Sequence, residues 1–119
     1  MPTTKVDITL QVSASNAAGA TATGGAVGLA TGYGAIISVQ ITNGATGPTV
    51  GCTCTIEGTY DGGTNWFPIK EMTAYITALA VYDWLVEIPM AVQEVRSVFT
   101  GNTGQAVTVE AVGSHITAI

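Results

Sequence analysis

Charge is what this sequence has least of. Only 9% of its 119 residues are Asp, Glu, Lys or Arg, where soluble domains ordinarily carry roughly 25%. Three of these are basic, Lys5, Lys70 and Arg96, against eight acids, so the net charge is −5. Binding of DNA or RNA needs clustered Lys and Arg to neutralise phosphates. Three scattered cations exclude nucleic acid as a partner, and by the same reasoning an anionic membrane surface. No run approaches the ~18 consecutive apolar residues of a spanning helix. The opening Met1-Pro2-Thr3-Thr4 has neither the basic nor the apolar part of a secretory leader. A soluble product made in the cytoplasm is expected.

Reactive groups are equally sparse. His115 is the single histidine, so Ser–His–Asp or Cys–His chemistry would have to use it as base. Its neighbours Gly113, Ser114 and Ile116 form no nucleophile elbow, and we expect a solvent-facing or interface histidine in the last strand. Glu57 and Asp61 are close enough in sequence to be considered as a carboxylate pair. Asp61, however, opens a turn whose backbone it can bond, and Glu57 lies on the polar face of its strand. Asp61 and Asn65 offer too few oxygens for the roughly six to eight that Ca²⁺ takes. The Gly-rich stretch after Ser13 lacks the Lys-Ser/Thr and the helix of a phosphate loop. No enzyme activity, cofactor or metal is expected.

The two cysteines are Cys52 and Cys54. On a strand they share a face, with Cα atoms about 6.5–7 Å apart, at or beyond the usual limit for a disulfide. They read as small, reduced core residues.

What the chain does have is alternation. Val6, Ile8, Leu10 and Val12 face one way and Lys5, Asp7, Thr9 and Gln11 the other, the pattern of a half-buried strand. Ser13 to Gly34 reads as a Gly-rich loop, a short strand near Ala26–Ala30 and a turn. Ala35–Thr42 alternates again, and 43–48 is a turn by composition. Val50–Tyr60 puts Val50, Cys52, Cys54 and Ile56 on one face. Asp61-Gly62-Gly63-Thr64-Asn65 closes a hairpin, and Pro68 marks the return strand as an edge or a bulge. Thr73–Ala80 is ambiguous between strand and helical turn. Trp84–Ile88, Glu94–Thr100 and Ala106–Ala111 are strands, the last continuing towards Ile119. No segment carries a 3.6-residue apolar period. Eight or nine short strands predict one β-sandwich domain over residues 1–119, of jelly-roll type.

With so little charge, Thr, Ala, Gly, Ser and Asn must cover the surface. Either the chain is a monomer with a neutral, Thr-rich skin, or much of its surface is buried against copies or a partner. We expect a homo-oligomer, a trimer being favoured, since closed symmetry removes exposed β edges.

One cluster has the chemistry of a contact site: Tyr60, Asp61, Asn65, Trp66 and Phe67, around the hairpin tip. An exposed Trp beside polar groups can stack on a sugar or anchor a protein interface. Alternatively, Trp66 folds over the sandwich end into the core. The run Ile56-Glu57-Gly58-Thr59-Tyr60-Asp61-Gly62-Gly63-Thr64-Asn65-Trp66-Phe67-Pro68-Ile69 resembles a hairpin of small β-sandwich head, neck and tail accessory proteins of bacteriophage virions. The likeness extends through Ile88-Pro89, Val95-Arg96, the turn Thr100-Gly101-Asn102-Thr103-Gly104 and Val107–Val109, covering roughly residues 50–112. It implies a non-enzymatic virion protein, foremost a capsid decoration (cement) protein on the capsid surface, with a neck or tail accessory protein as the alternative within that class. Its implied partners are the major capsid protein and its own copies. The Asp-Gly…Trp hairpin is also similar to that of discoidin-like carbohydrate-binding modules, which implies glycan binding through Tyr60 and Trp66 as the alternative.

Overall fold

The computed structural model describes residues 4–29 and 32–118, and its regular structure is all β. The strands are β1 (Thr4–Asn16), β2 (Ala22–Thr23), β3 (Val27–Gly28), β4 (Ala35–Asn43), β5 (Thr53–Thr59), β6 (Phe67–Thr73), β7 (Val81–Ile88), β8 (Glu94–Thr100) and β9 (Val107–Ala118). One sheet has the order β1-β9-β4-β7 and the other β2-β8-β5-β6, with β3 also on β8. All pairs are antiparallel: β1 with β9, β2 and β3 with β8, β4 with β7 and β9, β5 with β6 and β8. This is one long hairpin rolled into two layers, a jelly roll, in which β2 and β3 together fill one strand position. Ala30 and Ile119, the expected ends of two strands, lie outside the described residues.

The core is made by the alternation. Ile37, Val39 and Ile41 of β4 and Val107, Val109 and Ala111 of β9 point inward from one sheet. Cys54 and Ile56 of β5 and Val95 and Phe99 of β8 meet them from the other. Cys52 and Cys54 are both buried and free. Burial pushes their thiols up to about 11 and about 12 respectively. We therefore expect no alkylation of either by iodoacetamide at pH 8 in the folded protein and prompt alkylation of both in denaturant, read by mass, because the thiolate is the nucleophile. Rapid labelling of the native chain would show that this strand is not core.

Three readings differ in the structure. Val6, Val12 and Val50, assigned inward, are 47%, 65% and 53% exposed. Strand β1 slips in register between Thr9 and Gln11 and again between Gln11 and Ala14, and these bulges break the two-residue period before Val12. Val6 lies before both slips and keeps the inward phase opposite His115, exposed near the start of an edge strand, and Val50 lies ahead of β5. Thr73–Ala80 is neither strand nor helical turn beyond Thr73. It crosses between the sheets as a loop held by the buried Asn43, whose Nδ2 donates to the carbonyls of Tyr75 (3.0 Å) and Thr77 (2.9 Å). His115 is buried rather than solvent-facing. It continues the inward set of β9 opposite Val6 and Ala35, and its Nε2 has no hydrogen-bond partner among the described residues.

Pro68 meets both expectations placed on it. Strand β6 is a sheet edge, where a missing N–H costs no ladder bond. The register also jumps beside it, Ile56 opposing Lys70 and Glu57 opposing Pro68.

Candidate functional site

The β5–β6 connection turns on Gly62 and Gly63, whose φ angles of 74° and 92° lie in the left-handed region that glycine enters without strain. Asp61 organises the tip. Its carboxylate accepts from the Asn65 backbone N–H (3.0 Å), the Asn65 amide Nδ2 (2.8 Å) and the Thr59 hydroxyl (2.7 Å). Thr59, itself buried, accepts in turn from the Gly63 N–H at 3.1 Å. Gln93 holds the tip from the neighbouring loop, its Oε1 accepting from the Gly62 N–H at 3.1 Å. Asp61 and Asn65 are thus spent largely on each other.

The aromatic residues divide between two surfaces. Tyr60 and Phe67 are exposed and stacked, with centroids 5.5 Å apart and planes at 14°. They rim an apolar recess of ≈ 270 Å³ at the sandwich end, floored by Gly58, Ile69 and Val92. Gly58 keeps it open: a Cβ there would stand 2.8 Å from Ile69 Cδ1 and 3.0 Å from Val92 Cγ1.

Trp66 lies half-buried outside the core cluster. The Arg96 guanidinium carbon sits 4.1 Å from its ring centroid, and Arg96 Nε bonds Glu57 Oε1 at 2.8 Å. Glu57 and Arg96 are register partners on the outward face of β5 and β8. The ion pair fixes the guanidinium plane and the guanidinium covers one face of the indole. Trp66 is therefore neither the core residue nor the open sugar platform considered from sequence. The contributions of Glu57, Arg96, Thr59 and Gln93 were not assigned from sequence. Only the strand alternation that puts Glu57 on a polar face pointed to any of them.

No protein-family model matches the chain and none of the curated proteins does. Solved structures share its fold at low identity. The K3 adhesin domain of Lys-gingipain from Porphyromonas gingivalis superposes with a TM-score of 0.62 at 11% identity, over 86% of this chain and 72% of that one. A subunit of the disulfide-linked pili of Bacillus endospore appendages does so at 0.58 and 12%, over 100% and 93%. A chain of infectious bursal disease virus, Gx strain, reaches 0.57 at 12%, over 96% of this chain but only 32% of its own length. The SPBc2 prophage-derived protein YomS reaches 0.52 at 13%, over 96% of both chains. At these identities the likeness establishes the β-sandwich.

The hydrogen bonds from Asn65 and Thr59 hold the Asp61 carboxyl at about 2, below the ordinary 3.8. A carboxylate lowered on folding stabilises the fold above its unfolded value, and that contribution is lost as pH falls through the folded one. The tip should therefore stay closed down to pH about 4 and loosen between there and about 2. The amide shifts of Gly63 and Asn65 are expected to titrate with a midpoint near the lower value, while those of core β4 stay fixed. A midpoint at the ordinary carboxylate value would mean that Asp61 does not hold the turn.

Proposed function

We propose that this chain is a non-enzymatic virion structural protein and, within that class, a capsid decoration protein that binds the major capsid protein and stabilises the phage head by added contact area. The observation that carries this reading is the surface. Where a free-standing domain would place Lys, Glu and Arg, this sandwich exposes large apolar side chains, among them Val12, Val50, Tyr60, Tyr75, Leu79, Leu85 and Met90. Its second sheet has an outer row of threonines in which Thr53 bonds Thr73 (2.9 Å) and Thr21 bonds Thr100 (2.8 Å), hydroxyl to hydroxyl. Such a surface suits burial against protein. Sharing a fold with a viral chain, a prophage protein and a pilus subunit supports a structural role.

The hairpin also weighs against glycan binding. Asp61 and Asn65 are bonded to each other and Arg96 covers one face of Trp66. Trp66→Ala should lower stability by about 1–2 kcal/mol, the loss of a cation–π contact and some half-buried area. A glycan array should be blank for both wild type and variant. Co-sedimentation with shells of the major capsid protein should retain the wild-type chain. An array signal abolished by Trp66→Ala, with no retention on shells, would replace this reading with the carbohydrate-binding one.

A further inference from the structure

The sandwich has four sheet edges, β1, β7, β6 and the pair β2/β3, and three of them are blunted. Strand β1 carries register slips, and the chain at Gly24 presses on it so closely that a Cβ there would overlap the Leu10 carbonyl. Strand β6 has Pro68 and a register slip, and β2 and β3 are two residues each. These are the devices by which proteins keep edges from pairing. Strand β7 has none of them. It pairs with β4 over eight consecutive residues without a slip, and its sequence Val-Tyr-Asp-Trp-Leu-Val-Glu-Ile contains no proline and no lysine.

The backbone phase of this edge follows from one bond. Asn43 N–H donates to the Ala80 carbonyl at 2.9 Å, one step beyond the Thr42–Val81 pair. Hydrogen-bonded and non-bonded pairs alternate in an antiparallel ladder, so Tyr82, Trp84, Val86 and Ile88 bond β4. The N–H and C=O groups of Val81, Asp83, Leu85 and Glu87 then point away from the sheet, and no hydrogen bond reaches them among the described residues. Exposed apolar side chains lie on this strand and on the loop that leads into it: Val81 and Leu85 are 51% and 64% exposed, and Tyr75, Ile76 and Leu79 are 75%, 54% and 70% exposed.

We propose that this edge takes the β7 of a second copy of the chain, antiparallel across a two-fold axis at Trp84, joining two sheets into one. Overlap and charge together select that register: a two-fold at Tyr82 or Val86 would leave much of β7 unpaired. Centred on Leu85, Asp83 of each copy would oppose Glu87 of the other, and centred on Asp83, the two Asp83 residues would meet; like charges directly opposite are destabilising. Centred on Trp84, Asp83 opposes Leu85 and Glu87 opposes Val81, so no acid faces an acid. Tyr82 and Trp84, stacked at 6.4 Å and packed on the core rim, are then closed over at the seam. The closure is two-fold, where the sequence led us to favour a three-fold.

Sedimentation of the purified chain at 0.15 M salt tests this without any capsid, so its outcome is separate from that of the virion reading. Wild type is expected to sediment at twice its 12.1 kDa. Leu85→Pro removes an outward N–H from each copy but no β4 bond. It should weaken association roughly 30- to 100-fold with the fold retained by circular dichroism. Leu85→Lys and Leu85→Glu place opposite charges against Asp83 of the other copy, and the Lys variant should associate about ten-fold more tightly than the Glu one. Should Leu85→Pro fail to fold, this charge comparison decides. A wild type monomeric at millimolar concentration, a dimer that a folded Leu85→Pro leaves intact, or equal association of the Lys and Glu variants overturns the proposal.

Discussion

Phe99→Ala is expected to cost roughly 3–5 kcal/mol of folding free energy, the range for deleting a buried aromatic ring from a core that cannot fully collapse. Phe99 is fully buried on β8, opposite Cys54 on one side and Ala22 on the other. Neither of those small side chains can move into the vacated space. Against a total stability of about 5–15 kcal/mol for a domain of this size, the variant should be marginal at room temperature. Urea unfolding should show a lowered midpoint with an unchanged slope. A loss no larger than that of Trp66→Ala would mean that the two sheets are not packed through β8.

Asn102→Asp should be comparably damaging although it changes no volume. Asn102 is fully buried in the β8–β9 turn. Its Nδ2 lies within 3.1 Å of the Asn16 and Gln105 carbonyls and 3.3 Å of that of Ala17, while its Oδ1 accepts from Asn16 Nδ2 at 2.8 Å. The amide ties the end of β1 to the far end of the chain. In a carboxylate, the oxygen that replaces Nδ2 would face the three carbonyl oxygens with no donor, at a cost on the order of 3 kcal/mol or more. The deficit should shrink on acidification, since protonation restores one donor. A wild-type melting temperature for this variant at pH 7 would show that the turn is held by something else.

Asn102 also marks where sequence reading stops. Within Gly101-Asn102-Thr103-Gly104 it looks like any turn residue, since Asn favours turns through its own backbone. Its partners at Asn16 and Ala17 are 86 and 85 residues away, and no local pattern encodes such a contact. The strands were legible because alternation is local. β4, β5 and β8 have the inward faces their sequences assign, apart from Val50, which lies ahead of β5 and is exposed. The Asp61–Asn65 loop and the edge position of Pro68 were legible through turn and ladder chemistry.

His115 shows an available signal left unused. The same odd-numbered face that buries Val107, Val109 and Ala111 carries on to residue 115, so its burial follows from counting along β9. The bulges of β1 could not be counted in this way, because Val12 keeps the period on paper while the register slips beneath it. For Trp66, sequence offered core or open platform. The third option required knowing that Glu57 and Arg96 pair across β5 and β8, a fact of sheet order.

As proposed, this chain would be a stoichiometric part of a virus particle. Quantitative mass spectrometry of virus particles purified from cultures that express it tests that most directly. The chain is expected in fixed ratio to the major capsid protein, and mild denaturant should release it from intact heads before the shell dissociates. Particles that lack it, while it accumulates free in the lysate, would contradict the virion role.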